Sequence, residues 1–208
     1  MASELKVDTI SEKTTASGVT IDGVLVKDGA IASSYISGLT SPGLVLIDNY
    51  SFSAVTTFSR DNVFSSTYKN YLFQMNMDSA SVTGDTNINF RASSSDYTSA
   101  TYDWSTIYNV SNGTTVAVTK ASNDTKLNGL AYMESTGSAL INSYIIANPN
   151  ETKVTSVTGT ANRFSGTDVV LGLFGGSTGV TNSFDGYTVT RISGTMTGSV
   201  KIFGIIDN

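Results

Sequence analysis

The chain has 208 residues, 39% hydrophobic and only 14% charged, enough apolar material for one sizeable core or a core with a short appendage, which excludes a many-domain machine. It contains no Cys and no His, so disulfides, thiolate or imidazole zinc sites, iron–sulfur clusters and Ser-His or Cys-His catalytic pairs are excluded. The formal net charge of -5, from 12 basic and 17 acidic residues, argues against a nucleic-acid partner, because phosphate binding needs clustered Lys and Arg.

Ser and Thr make up roughly 28% of the chain, a hydroxyl-rich polar surface that suits pleated structure. Strong helix formers never gather into a periodic run, so almost no helix is expected. The opening stretch Met1-Ala-Ser-Glu-Leu-Lys-Val-Asp carries acidic residues where a secretory signal needs an apolar segment. No segment approaches about 18 consecutive apolar residues. A soluble protein made in the cytoplasm, without membrane insertion, is the expectation.

Of the 20 aromatic residues only Tyr35 precedes Asp48, so the large side chains that build a core begin at Tyr50. Residues 1–48 read as an N-terminal attachment and oligomerisation arm, with turn chemistry near its end at Gly38-Leu39-Thr40-Ser41-Pro42-Gly43. Within it, Val19-Thr20-Ile21-Asp22-Gly23 is followed by Val24-Leu25-Val26-Lys27-Asp28-Gly29, two short apolar strands each closed by Asp-Gly. They read as two turns of one repeat, with a plain Asp-Gly hairpin as the alternative. Neither arrangement is long enough to bury its own apolar face. Val7, Ile10, Val19, Ile21, Val24, Val26 and Ile31 are therefore expected to make interchain contacts, three chains intertwining about an axis, or docking contacts.

From Tyr50 onward the pattern is short strands separated by turn residues. Tyr71, Phe73, Met75 and Met77 alternate with Leu72, Gln74 and Asn76, the period of a strand with one buried face. Similar runs are expected at 87–91, 102–108, 115–119, 139–146, 168–174, 187–192 and 200–206. Asn112-Gly113, Asn128-Gly129 and Asp185-Gly186 supply turn residues, and Gly175-Gly176-Ser177-Thr178-Gly179 reads as a longer exposed loop. Eight or so strands without helical crossovers imply an all-β fold, in which residues 49–208 form an antiparallel jelly-roll-like β-sandwich.

Candidate chemistry is sparse. Several Asp residues, among them Asp22, Asp28, Asp85 and Asp185, stand in expected turns where a carboxylate bonds the local backbone, so paired-acid glycoside hydrolysis is not favoured and no enzyme activity is expected. Calcium is the one metal that the residue inventory permits, with Asp85-Thr86-Asn87 and Asn123-Asp124-Thr125 as its best positions, but neither has dense ligand spacing. No cofactor is expected. Trp104 shares a strand face with Tyr102 and Tyr108, which makes it a core or interface residue or, together with Tyr97 and Tyr102, a platform for stacking on a sugar ring.

Two stretches carry a family resemblance. Ser3-Glu4-Leu5-Lys6-Val7-Asp8-Thr9-Ile10-Ser11-Glu12-Lys13, running into Gly18 through Gly29, resembles the N-terminal arm of virion appendage proteins of tailed phages, especially those of marine and cyanobacterial hosts. More loosely, Tyr68-Lys69-Asn70-Tyr71-Leu72, Ser94 through Trp104, and Gly194 through Ile205 are similar to the β-sandwich domains of phage fibre and head-decoration proteins. The resemblance implies a homotrimer whose arm attaches to other virion proteins of the capsid, portal or tail, and whose sandwich faces outward on the virion surface. It implies no catalytic residue. Long tail fibres of this kind have extended shafts and extra receptor-binding modules after the arm, which this chain lacks, so a short fibre or capsid decoration is expected, with a module binding host-surface glycans as the alternative.

Overall fold

Alternation of apolar and polar residues at period two is the local signal that builds most of this chain. The computed structural model describes residues 19–21, 24–27, 30–31, 43–109, 115–135, 139–165 and 168–206, and the chain divides into two units at Ser41/Pro42. The described residues form strands, turns and irregular segments without helix.

In the first unit, β1 (Val19–Ile21), β2 (Val24–Lys27) and β3 (Ala30–Ile31) pair antiparallel in sequence order. Ile21 pairs with Val24 and Lys27 with Ala30, so each strand runs antiparallel to the next. The expected two turns of one repeat are instead two successive hairpins.

Among the described residues the second unit holds fifteen strands. In chain order they are β4 (Leu44–Val55), β5 (Thr57–Arg60), β6 (Asn70–Ala80), β7 (Gly84–Ala92), β8 (Ser95–Asp96), β9 (Tyr102–Asn109), β10 (Val116–Asp124) and β11 (Leu127–Met133). Then follow β12 (Leu140–Ala147), β13 (Ser156–Thr160), β14 (Arg163–Ser165), β15 (Asp168–Val170), β16 (Gly172–Ser177), β17 (Gly186–Arg191) and β18 (Met196–Ile205). An eight-stranded sheet runs β10-β9-β16-β13-β12-β6-β18-β4, and a seven-stranded sheet runs β15-β14-β11-β7-β17-β5 with β8 paired to β7. Pairing is antiparallel throughout, apart from one parallel contact between Tyr132 of β11 and Arg163 of β14.

The inner faces of the two sheets share one core. Tyr71, Phe73, Met75 and Met77 of β6 are fully buried, as their alternation predicts. Phe73 meets Tyr187 of the opposite sheet edge-on at 5.3 Å between ring centroids, and the Phe64, Phe90 and Phe184 rings extend the same cluster. Each such ring removes roughly 150–250 Å2 from water, so these aromatics dominate the cohesion between sheets.

Several sequence expectations change in the structure. Gly175, Gly176 and Ser177 are not loop: they form the end of β16, hydrogen-bonded between β13 and β9. Asn128-Gly129 is not a hairpin turn but part of β11, where Gly129 at φ +80° coincides with a register shift against β7. Such a bulge inserts residues into one strand, and a positive φ suits glycine there. Asp85 lies in β7 rather than in a turn. The expected run over 168–174 breaks at Leu171 into two strands belonging to different sheets. β4 begins at Leu44, ahead of Asp48, where the arm was expected to end. Asn112-Gly113 lies outside the described residues.

Candidate functional site

Register turns the five arm residues that fall within the described strands into one set. Val19 pairs with Val26, Ile21 with Val24, and Val26 with Ile31, and residues paired across antiparallel strands share a face, so all five positions lie on one face of the meander. Val7 and Ile10, the other two expected contacts, lie outside the described residues.

The sugar-stacking candidates separate on burial. Tyr102 is 0% exposed; its hydroxyl donates to the Tyr97 carbonyl at 2.9 Å and accepts from the Phe90 amide at 3.2 Å. It is a core residue and is unavailable to a ligand, which corrects that assignment. Tyr97 is half-buried with its ring between those of Tyr102 and Phe184, at 6.1 and 5.6 Å. Trp104 is half-buried against the core, and its indole N–H donates to Asp124 Oδ2 at 3.0 Å. Trp104 also borders a shallow groove with Asp103, Ser105, Lys120, Gly175 and Ser177, an open depression in which Gly175 leaves the floor without a side chain.

Of the two positions that could suit calcium, Asn123-Asp124-Thr125 has its carboxylate engaged within the chain, whereas Asp85 Oδ1 and both side-chain polar atoms of Asn87 are buried without a hydrogen-bond partner. Asp124 accepts hydrogen bonds from Trp104, from the Asn128 amide at 2.7 Å and from the Thr125 backbone at 2.6 Å. Asp85 faces Arg163 at 3.8 Å, and burial pushes its carboxyl up against the opposing pull of Arg163 and Arg191. Arg191 is itself 1% exposed, donates to the Val82 and Met133 carbonyls at 2.5 and 2.9 Å, and is pushed down by burial. Among the described residues no three acidic side chains gather to hold a metal ion.

The two outer faces differ in kind. On the eight-stranded sheet Val118, Ile107 and Leu173 stand side by side on β10, β9 and β16, and they are 57%, 44% and 57% exposed. Their row continues into polar side chains: Thr160, Ser143, Gln74, Lys201 and Asn49. The next row outward is the reverse, polar at Lys120, Ser105 and Thr158 and apolar at Ile145, Leu72, Phe203 and Leu46. The apolar outward positions thus form two stretches offset by one row and separated by Thr158 and Thr160 of β13: Val118, Ile107 and Leu173 on one side, and Ile145 and Leu46 with the half-buried Leu72 and Phe203 on the other, extended at their ends by Val116 and Leu44, with Ile141 exposed outside them.

No exposed large hydrophobic side chain lies on the strands of the seven-stranded sheet among the described residues. Arg91 is the hub of its outer face. It donates to Asp61 at 2.7 Å, to Asp96, to Thr188 Oγ1 at 3.0 Å, to Ser59 at 3.2 Å and to the Ser94 carbonyl at 2.5 Å. The hydrogen bond to Asp61, with a further contribution from Asp96, pushes the guanidinium pKa up. Beside it the Ser59 and Thr188 hydroxyls meet at 2.7 Å, and those of Thr57 and Thr190 at 2.9 Å.

Sequence reasoning did not single out these apolar stretches. The signal was present as Ile, Leu and Val at the outward positions of β9, β10, β12 and β16, but reading it requires the strand order. Comparison with protein-family models, with curated proteins and with solved structures found no match.

Proposed function

We propose that this chain is a structural protein of a tailed-phage virion, a short homotrimeric fibre or capsid-decoration appendage rather than an enzyme. Residues 1–48 anchor it to other virion proteins, and a sandwich with jelly-roll-like connectivity is displayed outward on the virion surface, after assembly in the host cytoplasm. The observation that carries the reading is the common face of Val19, Ile21, Val24, Val26 and Ile31 on a meander whose strands are 3, 4 and 2 residues long. An isolated sheet of that size has no core of its own, so its apolar face is satisfied by another chain. Burying each Val or Ile there contributes on the order of 1.5–3 kcal/mol before entropic costs.

Ile21→Asp combined with Val26→Asp is expected to abolish the trimer in multi-angle light scattering. Trimers of unchanged mass would overturn the reading. The second reading, a glycan-binding tail-fibre or tail-tip module, keeps Trp104 and the polar groove beside it as its support. It predicts that host polysaccharide shifts the Trp104 fluorescence, whereas the appendage reading predicts no shift.

A further inference from the structure

The apolar positions on the outer face of the eight-stranded sheet are left uncovered by the described residues of their own unit, and such surfaces are unusual on a free soluble domain. We infer that the outer face of the eight-stranded sheet is where a second copy of this chain packs, sandwich against sandwich, independently of the arm. Three observations select this occupant.

The first is area. Eight strands about 4.8 Å apart, with about eight residues each at roughly 3.3 Å per residue, present a face of about 1,000 Å2. A stable interface takes about 800 Å2 from each partner. The second is charge. The chain carries a net charge of -5, but the outward positions of this sheet carry Lys120 and Lys201 against Asp78 and Asp103, two of each sign. A copy approaching this face meets a locally neutral surface, whereas approach elsewhere is opposed by like charge. The third is shape. The exposed side chains Val118, Ile107, Leu173 and Ile145 are branched aliphatics standing on strands, and sheets pack face to face through interdigitated side chains of this kind at about 10 Å separation. A two-fold axis lying in the interface plane sets this face against the same face of the second copy, each residue i meeting j as j meets i, as an isologous contact requires.

The inference goes beyond the virion reading and does not depend on it. Its test is sedimentation equilibrium on the full chain over a wide concentration range. Ile107→Lys with Leu173→Lys is expected to weaken association about a hundredfold, since each central aliphatic contact is worth at least about tenfold. Thr57→Lys with Thr190→Lys, on the outer face of the other sheet, is expected to leave association unchanged. Near-UV circular dichroism reports whether each variant keeps its core, and if the lysine pair does not fold, Ile107→Thr with Leu173→Thr replaces it. Unaltered association in the folded apolar-face variant, or a wild-type chain that is monomeric at every concentration, overturns the inference. The arm variant Ile21→Asp with Val26→Asp separates the two proposals. A loss of association confined to the arm variant overturns this inference and leaves the arm reading standing; a loss confined to the apolar-face variant supports this inference and overturns the arm reading; a partial loss in each supports both contacts.

Discussion

The outer faces of the two sheets are built by the same alternation over a common core, from longer strands in the eight-stranded sheet than in the seven-stranded one, yet one exposes aliphatic side chains and the other a network of hydroxyls around Arg91. Burial of the inner face explains alternation on both sheets and leaves the outward residue free to be anything soluble. On the seven-stranded sheet that freedom is filled by groups that satisfy one another within the chain: Arg91 with Asp61 and Asp96, Ser59 with Thr188. On the eight-stranded sheet the Val118, Ile107 and Leu173 row finds no such partners among the described residues of its own unit. The difference teaches that a polar outer face can be self-sufficient, whereas an apolar one points to contact with another molecule.

The largest expected effect tests the core on which both faces stand. Burial pushes the phenols of Tyr102 and Tyr144 in the eight-stranded sheet, and of Tyr187 in the seven-stranded sheet, above their ordinary value of 10.0. Unfolded tyrosines release their protons near that pH while the folded ones keep theirs, so the folded state binds more protons and stability falls as pH rises. From these groups it is fully present below pH 10.0 and is lost above it by about 1.4 kcal/mol per tyrosine per pH unit, about 4 kcal/mol for the three. Urea midpoints between about pH 9 and 11 should drop steeply, together with the appearance of tyrosinate absorbance, and a flat profile would mean that the three phenols are not held in one core.

Next in size is the hub of the polar face. Arg91→Ala leaves the half-buried Asp61 and the exposed Asp96 without their shared partner and is expected to cost about 1–2 kcal/mol in chemical denaturation. A cost below about 0.5 kcal/mol would mean that this face is held by its backbone pairing alone. Tyr187→Phe sharpens the view of the inner side: the hydroxyl is buried with no hydrogen-bond partner, so its removal should raise stability by about 1 kcal/mol and reduce the alkaline slope by about one third. The smallest effect is expected on the apolar face itself. Ile145→Thr with Leu46→Thr should change the stability of the dissociated chain by no more than about 0.5 kcal/mol, because both residues are exposed there, at 39% and 53%. A larger loss would show that these residues support their own sheet.

Much of the fold was legible in the sequence because the inner face writes a local code. Tyr71, Phe73, Met75 and Met77 could be placed inward from their spacing alone, and all four are buried. Runs that break the code were missed or misread. The strand β11 has Gly129 at a bulge, which interrupts its alternation, and β13 is mostly Ser, Thr and Gly, paired on both sides by neighbours that do the packing for it. Gly175 and Gly176 look like loop residues locally, yet the ladder on either side holds them extended. The stacking candidates fared according to what surrounds them. Tyr102 lies on a strand that could have faced either way, and the second sheet closing over it makes it core.

The sequence by itself determined the all-β character and the inward face of its strongest strands, because each depends on residues within a few positions of one another. Only the tertiary structure decided which strands are neighbours. That order is what aligns Val118, Ile107 and Leu173 across three strands, gathers Arg91 with Asp61, Asp96 and Thr188, and buries Tyr102 while leaving Trp104 at a groove. Side chains brought together by hydrogen bonds between distant strands have no spacing in the chain that could announce them.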